Sequence, residues 1–350
     1  MKYVKMIVFS MSMISLAIAC GGDTDNSNTK PLPNIETTVG AKVKEVLTAI
    51  PLVSQNERIA LINYTDYATK DLESWIQLAS SKMKTRKSRI FAFIYPVGER
   101  KEPEETIRSD HADNVFAKHE VLITQSQIDL ILDSVQKWFD NDRCIGGQRP
   151  LKDYRTWLEQ GGDTSTMHVV CPTVRVVAMG VTAMMREREP LSEFQSFLIH
   201  EFYHAFQQDL SMEGECEKRR NMENSNTRWF VEGAAHYFAT VLTAQLNNDQ
   251  NPYSKILQIA YAGLERESDY GLYEGGPDKT GAAALRLMVE RGLLEEKVIM
   301  DGSLFHNCAR ELTFDSTSPK MQDIRTSWKL IKKRGDTYVF KPEALKNGSN

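Results

Sequence analysis

The chain has 350 residues, with 43 Lys and Arg against 47 Asp and Glu, and a formal net charge of -4 at pH 7. Hydrophobic residues at 41% and charged residues at 26% are typical of a soluble globular protein, and they exclude wholesale disorder and a collagen-like fibre. The slightly acidic balance gives no electrostatic reason to expect nucleic acid as a partner.

The first residues have the composition of an export signal. Lys2 and Lys5 precede an uncharged, largely apolar stretch from Met6 to Ala19, which is shorter than the roughly 20 residues that cross a bilayer as a helix. A basic start, a short apolar core and small residues before a cut point are typical of a secretory signal peptide. We therefore predict that residues 1–19 form a signal peptide.

The end of this signal has a lipoprotein pattern. Residues 16–20, Leu-Ala-Ile-Ala-Cys, resemble the lipobox of bacterial lipoproteins. The resemblance implies that Cys20 is lipidated and becomes the new N-terminus, and Gly21 after it resembles lipoproteins that are sent to the outer membrane. The alternative is an ordinary cleaved signal with an incidental cysteine. Residues 20–40 are polar and rich in small residues, so we expect a flexible tether.

Residues 41–350 are predicted to form one α+β domain, in which β-containing material precedes a mostly helical half, rather than a regular β-α-β alternation. In the first lobe, residues 41–190, periodicity and composition predict helices over Lys42–Ile50, Asp71–Lys82 and Gln125–Asp140, and strands over Arg89–Tyr95, His119–Thr124 and Met167–Met179, the last interrupted at Pro172. In the second lobe, residues 191–350, they predict helices over Leu191–Leu210, Thr227–Leu246, Tyr253–Arg266 and Lys279–Arg291.

The helix from Leu191 carries an H-E-x-x-H motif, from His200 to His204. Two histidines four residues apart on a helix point the same way, so both imidazoles can reach one tetrahedral Zn2+. Glu201 follows the first histidine, where a general base can take a proton from a zinc-activated water. We predict zinc as the cofactor, His200 and His204 as ligands, and Glu201 as the base. The alternative is a helix with two surface histidines.

A zinc hydrolase needs a third protein ligand and an open fourth position. The metzincin continuation is excluded, because Gln207 and Leu210 occupy the positions where that class has Gly and His. Residues 229–237 instead resemble the W-x-x-E-G-x-A-x-Y segment of the gluzincin metallopeptidases. The resemblance covers roughly residues 190–290, and it implies a zincin-like fold, peptidase activity and Glu232 as the third ligand.

Three further residues are candidates for the catalytic site. His236 lies one turn after Glu232, and it is a candidate for orienting a ligand, for donating to the oxyanion or for replacing Glu232 as third ligand. It is also compatible with a partly buried helix histidine without a catalytic role, and the thermolysin-like branch has Asp at this spacing. Tyr270 and Tyr273 precede a Gly-containing helix, an arrangement loosely similar to gluzincins in which a tyrosine faces the oxyanion. Their glycine-rich loop is alternatively a simple turn or a cleft lining.

The chain has five cysteines, one in the predicted lipobox and four in the predicted domain. Once Cys20 is assigned to the lipid, four cysteines remain for an oxidising compartment. Proximity in sequence favours the pairs Cys144–Cys171 and Cys216–Cys308, and four free thiols are the alternative.

Together these features predict an exported zinc-dependent peptidase, lipid-anchored through Cys20, in which metal-activated water attacks a peptide carbonyl of a peptide or protein substrate. The alternative is a surface lipoprotein that binds a partner, with a structural or degenerate zinc site and no proteolysis. The presence of Glu201 disfavours it, because a structural site does not require a base. A third hypothesis keeps the zinc and replaces the peptide with a non-peptide amide.

Overall fold

A computed structural model describes residues 54–56, 59–84, 89–101, 106–108, 115–141, 148–162, 164–167, 174–212, 228–266, 277–305 and 319–346. The predicted signal peptide, the tether, the predicted helix Lys42–Ile50 and all the cysteines lie outside these residues. Within them, no helix is both long enough and apolar enough to cross a membrane.

The secondary structure of the described residues confirms the α+β class, because the main sheet lies in the N-terminal part and the rest is mostly helical. The strands are β1 (Ser54–Asn56), β2 (Ile59–Asn63), β3 (Arg89–Arg100), β4 (Thr106–Arg108), β5 (Val115–Ala117), β6 (His119–Val121), β7 (Thr164–Met167), β8 (Val174–Val181), β9 (Ile331–Arg334) and β10 (Thr337–Phe340). The helices are α1 (Thr69–Lys82), α2 (Gln125–Asn141), α3 (Gln148–Glu159), α4 (Ala183–Glu187), α5 (Leu191–Met212), α6 (Arg228–Leu246), α7 (Pro252–Arg266), α8 (Pro277–Glu290), α9 (Glu296–Met300) and α10 (Pro319–Ser327).

The main sheet has the strand order β1-β2-β3-β8-β7, and β6 pairs with the far end of β3. β2, β3 and β8 run parallel, whereas β7 at the edge runs antiparallel to β8. α1 therefore connects two parallel neighbours, a β-α-β unit that the sequence did not predict within the N-terminal part. The strand predicted over Met167–Met179, with an interruption at Pro172, belongs to two antiparallel neighbours: Met167 ends β7, and residues 174–179 lie in β8.

Both faces of the parallel strands are buried. In β3, Ile90, Ala92 and Ile94 face a core shared with α1, α5 and α6, while Phe91 and Phe93 face a second core under α2 and α3. A strand that is covered on both faces has no polar side to alternate with its apolar side. This explains why residues 90–95 contain no polar residue except a tyrosine.

A short polar sequence fixes the start of α2. Thr124 and Gln127 form a capping box, in which the Gln127 N–H donates to the Thr124 hydroxyl at 3.3 Å and the Thr124 N–H donates to Gln127 Oε1 at 2.7 Å. The strand predicted over His119–Thr124 ends at Val121, because Thr124 forms the N-terminal cap of α2.

α6 is the central helix of the second lobe. From residue 229 to residue 244 every side chain is buried except three partly exposed ones, at Val231, Glu232 and His236. α5 packs on one side of α6 and α8 on another, where Gly233 and Gly281 bring the two backbones together. A Cβ at position 281 would overlap the Trp229 carbonyl oxygen, and a Cβ at position 233 would overlap the backbone of Gly281. These glycines therefore set the distance between α6 and α8.

Substitution of Gly281 by alanine is expected to lower the free energy of unfolding by about 1–3 kcal/mol or more, because an added methyl group in a close backbone contact forces the helices apart. The matched control is Gly263→Ala in α7, where the new Cβ meets nothing within 4 Å. That change should stabilise the protein by about 0.5–1 kcal/mol through helix propensity. Urea denaturation of both variants measures the difference, and equal effects of the two substitutions would contradict the packing role.

Candidate metal centre

α5 divides into a buried apolar face and a polar face. Six of its large apolar side chains are fully buried against the sheet, α1 and α6: Phe194, Leu198, Ile199, Phe202, Tyr203 and Phe206. The Tyr203 hydroxyl also donates to the Ile299 carbonyl at 2.6 Å, which fixes the helix to α9. His200, Glu201 and His204 lie on the remaining, partly exposed side. The apolar face thus fixes the rotation of α5 and points the motif toward the opening over α6.

The structure brings His200, His204 and Glu232 together. The two histidine Nε2 atoms are 3.0 Å apart, and Glu232 Oε2 lies 3.4 Å from His200 Nε2 and 3.2 Å from His204 Nε2. Among the described residues, these three form the group of possible metal ligands whose ligand atoms all lie within 4.8 Å of one another. Since the side chains keep 14%, 15% and 25% of their surface exposed, the group is open on one side.

The distances fit a tetrahedral ion. A Zn2+ ion with ligands at about 2.0–2.1 Å separates neighbouring ligand atoms by about 3.3–3.4 Å. Protons cannot satisfy all three contacts at once. If both Nε2 atoms carry hydrogens that donate to Glu232, the two N–H groups face each other and neither can accept. If one Nε2 carries no hydrogen, its lone pair faces the carboxylate, and that contact has no donor. One cation at the centre of the triangle satisfies all three pairs.

The charges in the cluster favour a cation as well. Burial lowers the pKa of His204, but the Glu232 carboxylate outweighs burial and, with a smaller contribution from Glu201, raises that pKa to about 9. Burial also opposes ionisation of Glu232, yet the two imidazoles hold the pKa of Glu232 well below its ordinary value of 4.5. A proton therefore occupies the metal-free site at neutral pH, and a metal ion has to displace it.

Gln207 is a site residue that the sequence did not predict. It is only 2% exposed, its Oε1 lies 2.7 Å from His204 Nδ1, and its Nε2 donates to the Val231 carbonyl at 2.8 Å. The sequence motif indicated only that Gln207 replaces the glycine of the metzincin pattern. The available signal was its position three residues after His204, on the same face of the helix.

The other predicted site residues have different outcomes. His236 lies near the triad, with its ring centroid 6.5 Å from that of His200, but the third member of the group of possible ligands is Glu232 rather than His236. Tyr270 and Tyr273 lie outside the described residues, as does Cys20.

Comparison of the chain with protein-family models, with curated proteins and with solved structures found no match.

In the metal-free protein, the free energy of unfolding is expected to decrease as the pH rises from about 6.5 to about 9. The pKa of folded His204, about 9, lies above its ordinary value of 6.5, so the charged imidazole stabilises the folded state fully below pH 6.5 and stops doing so as pH passes 9. Thermal melts of zinc-free protein across this range test the prediction. His204→Gln is the control that removes this contribution, and an identical pH dependence in both proteins would contradict it.

Proposed function

We propose that this chain is a zinc-dependent peptidase of the gluzincin type, anchored to a bacterial membrane by a lipid on Cys20. The observation that carries the proposal is the triangle of His200 Nε2, His204 Nε2 and Glu232 Oε2, with sides of 3.0–3.4 Å, on an H-E-x-x-H helix. Its lipid anchor rests on the sequence pattern around Cys20, which also favours the outer membrane.

The ligand set favours catalysis over a structural metal. Structural zinc sites are closed by four protein ligands, whereas catalytic sites use three and leave one position for water or substrate. In the described part of the chain, the triad has three members and faces an opening. The chemistry that zinc supplies when bound in such a site is a water with its pKa lowered to about 7, which makes a nucleophile at neutral pH.

The protein's own groups then have separate tasks. His200, His204 and Glu232 hold the ion, and Glu201 takes the proton of the attacking water and returns it to the leaving amine. Glu201 is partly exposed and close enough to His204 for its charge to raise the pKa of that imidazole, which is consistent with a base beside the metal. His236, at the same opening, remains a candidate for orienting a ligand or for donating to the oxyanion.

The position of β7 supports a peptide as substrate. β7 ends the strand order of the main sheet in the described residues, and it packs against α5, the helix that carries the motif. An edge strand offers unpaired backbone groups to an extended peptide, which can add to the sheet as a further strand. A peptide that adds to β7 would lie on the side of the sheet next to α5, the helix that carries His200, Glu201 and His204.

Glu201→Gln should keep zinc and lose hydrolysis by about 10²–10⁴-fold in kcat, because it removes the base and none of the ligands. Digestion of a mixed peptide library, together with metal analysis, measures both properties. Glu193→Gln is the matched control, since Glu193 lies on the same helix in a partly exposed pair with Lys255. Undiminished peptide cleavage by Glu201→Gln would overturn the mechanism, and stoichiometric zinc without cleavage by the unsubstituted protein would favour a partner-binding lipoprotein.

Glu232→Ala should lose stoichiometric zinc, because two neutral imidazoles alone make a weak site. The companion variant His236→Ala should retain the metal, since His236 is outside the ligand triangle. Metal analysis after dialysis decides between them. The opposite pattern, with zinc kept by Glu232→Ala and lost by His236→Ala, would transfer the role of third ligand to His236.

A further inference from the structure

The Gln207 side chain connects the two helices of the metal centre. It extends from α5, places Oε1 2.7 Å from His204 Nδ1, and donates from Nε2 to the carbonyl of Val231 on α6. Val231 directly precedes Glu232, so one buried amide touches a ligand on the first helix and the backbone beside a ligand on the second.

The direction of these two bonds is fixed. A carbonyl oxygen can only accept, so the amide NH2 has to face Val231 and the amide oxygen has to face His204. Reversal of the amide would place two oxygens against each other in a buried setting, which costs about 1–3 kcal/mol for each unsatisfied group. His204 Nδ1 therefore has to carry a hydrogen, because its partner is an acceptor.

The hydrogen on Nδ1 determines which nitrogen can bind a metal. A neutral imidazole carries one hydrogen, so His204 Nε2 is left with a free lone pair. Nε2 is also the atom that lies 3.0 Å from His200 Nε2 and 3.2 Å from Glu232 Oε2. The amide thus selects the tautomer that the ligand triangle requires.

We propose that Gln207 is a positioning residue of the metal centre: it holds His204 in the Nδ1–H tautomer and, through Val231, keeps Glu232 in register with the two histidines. This inference rests on the proposed zinc site. Partners that orient a ligating histidine contribute about 10–100-fold to metal affinity in other zinc proteins. A neutral amide, unlike a carboxylate, performs this task without adding a further negative charge to the site.

Two variants, compared with the unsubstituted protein, test the two hydrogen bonds of Gln207. Gln207→Leu removes both bonds at nearly constant volume, and it should weaken zinc binding by about 10–100-fold in competition with a chromophoric chelator. Gln207→Glu keeps an acceptor for His204 Nδ1 but loses the donor to Val231, so it should bind zinc more tightly than Gln207→Leu. Equal affinities of these two variants would contradict the role of the acceptor.

The matched control is Gln195→Leu, on the same helix. Gln195 is also a buried glutamine, 6% exposed, and its Oε1 accepts from Asn247 at 2.8 Å, away from the triad. It should lose stability without losing zinc affinity. A loss of affinity equal to that of Gln207→Leu would show that general destabilisation, rather than positioning, weakens the site.

A spectroscopic measurement separates positioning from folding. In the zinc-loaded protein, the Nδ1 hydrogen of His204 should give a slowly exchanging, downfield proton resonance in NMR, coupled to a nitrogen of that ring. Gln207→Leu should lose this resonance while circular dichroism shows an intact fold. Persistence of the same resonance in Gln207→Leu would overturn the proposal, because the hydrogen would then have another partner.

The outcomes also separate this inference from the proposed function. Zinc affinity that depends on Gln207, without cleavage of any peptide, would leave the positioning role in place and remove the peptidase. Peptide cleavage with unchanged zinc affinity in Gln207→Leu would keep the peptidase and remove the positioning role.

Discussion

The closeness of three electron-rich atoms is the constraint on which the rest of the second lobe depends. Two imidazole nitrogens and a carboxylate oxygen lie within 3.4 Å of one another, on two helices that nothing in the local sequence holds together. Packing has to impose that arrangement. On α5, the fully buried aromatic and aliphatic side chains contribute about 1.5–3 kcal/mol each, so their sum far exceeds any single polar contact. The hydrophobic face of the helix therefore supplies the rigidity that holds the candidate ligands on its polar face in place.

The burial of α6 determines the surroundings of Glu232. The helix is buried on nearly all sides, and between residues 229 and 244 its partly exposed side chains are those of Val231, Glu232 and His236. A helix that is apolar around most of its circumference belongs in the interior of a fold. A carboxylate on such a helix is costly unless a charge or hydrogen bonds compensate it. At Glu232 the two histidines of α5 provide that compensation.

Local rules account for what the sequence predicted. The helix carrying His200 and His204 was predicted to within two residues of its end, and the spacing of four residues was enough to place both imidazoles on one side. The ladder between β2 and β3 was not predicted, because the partner of a strand depends on contacts that are distant in sequence, and residues 59–63 were not identified as a strand. The role of Gln207 was not predicted for a similar reason. Gln207 donates to the carbonyl of Val231, which lies on another helix, and the spacing of residues within α5 gives no information about that contact.

The close approach of Gly233 and Gly281 has a consequence for the order in which the centre is assembled. Chains are made from the N-terminus, so the histidines of α5 leave the ribosome first, then Glu232, and α8 only later. Until Gly281 packs against Trp229 and Gly233, α6 lacks the contact that sets its distance from α8. The position of Glu232 relative to the two histidines is then not yet fixed. A nascent chain that ends before α8 thus carries all three candidate ligands but lacks the packing of α8 against α6. For the proposed zinc site, this order of synthesis implies that metal binding follows the synthesis and packing of α8.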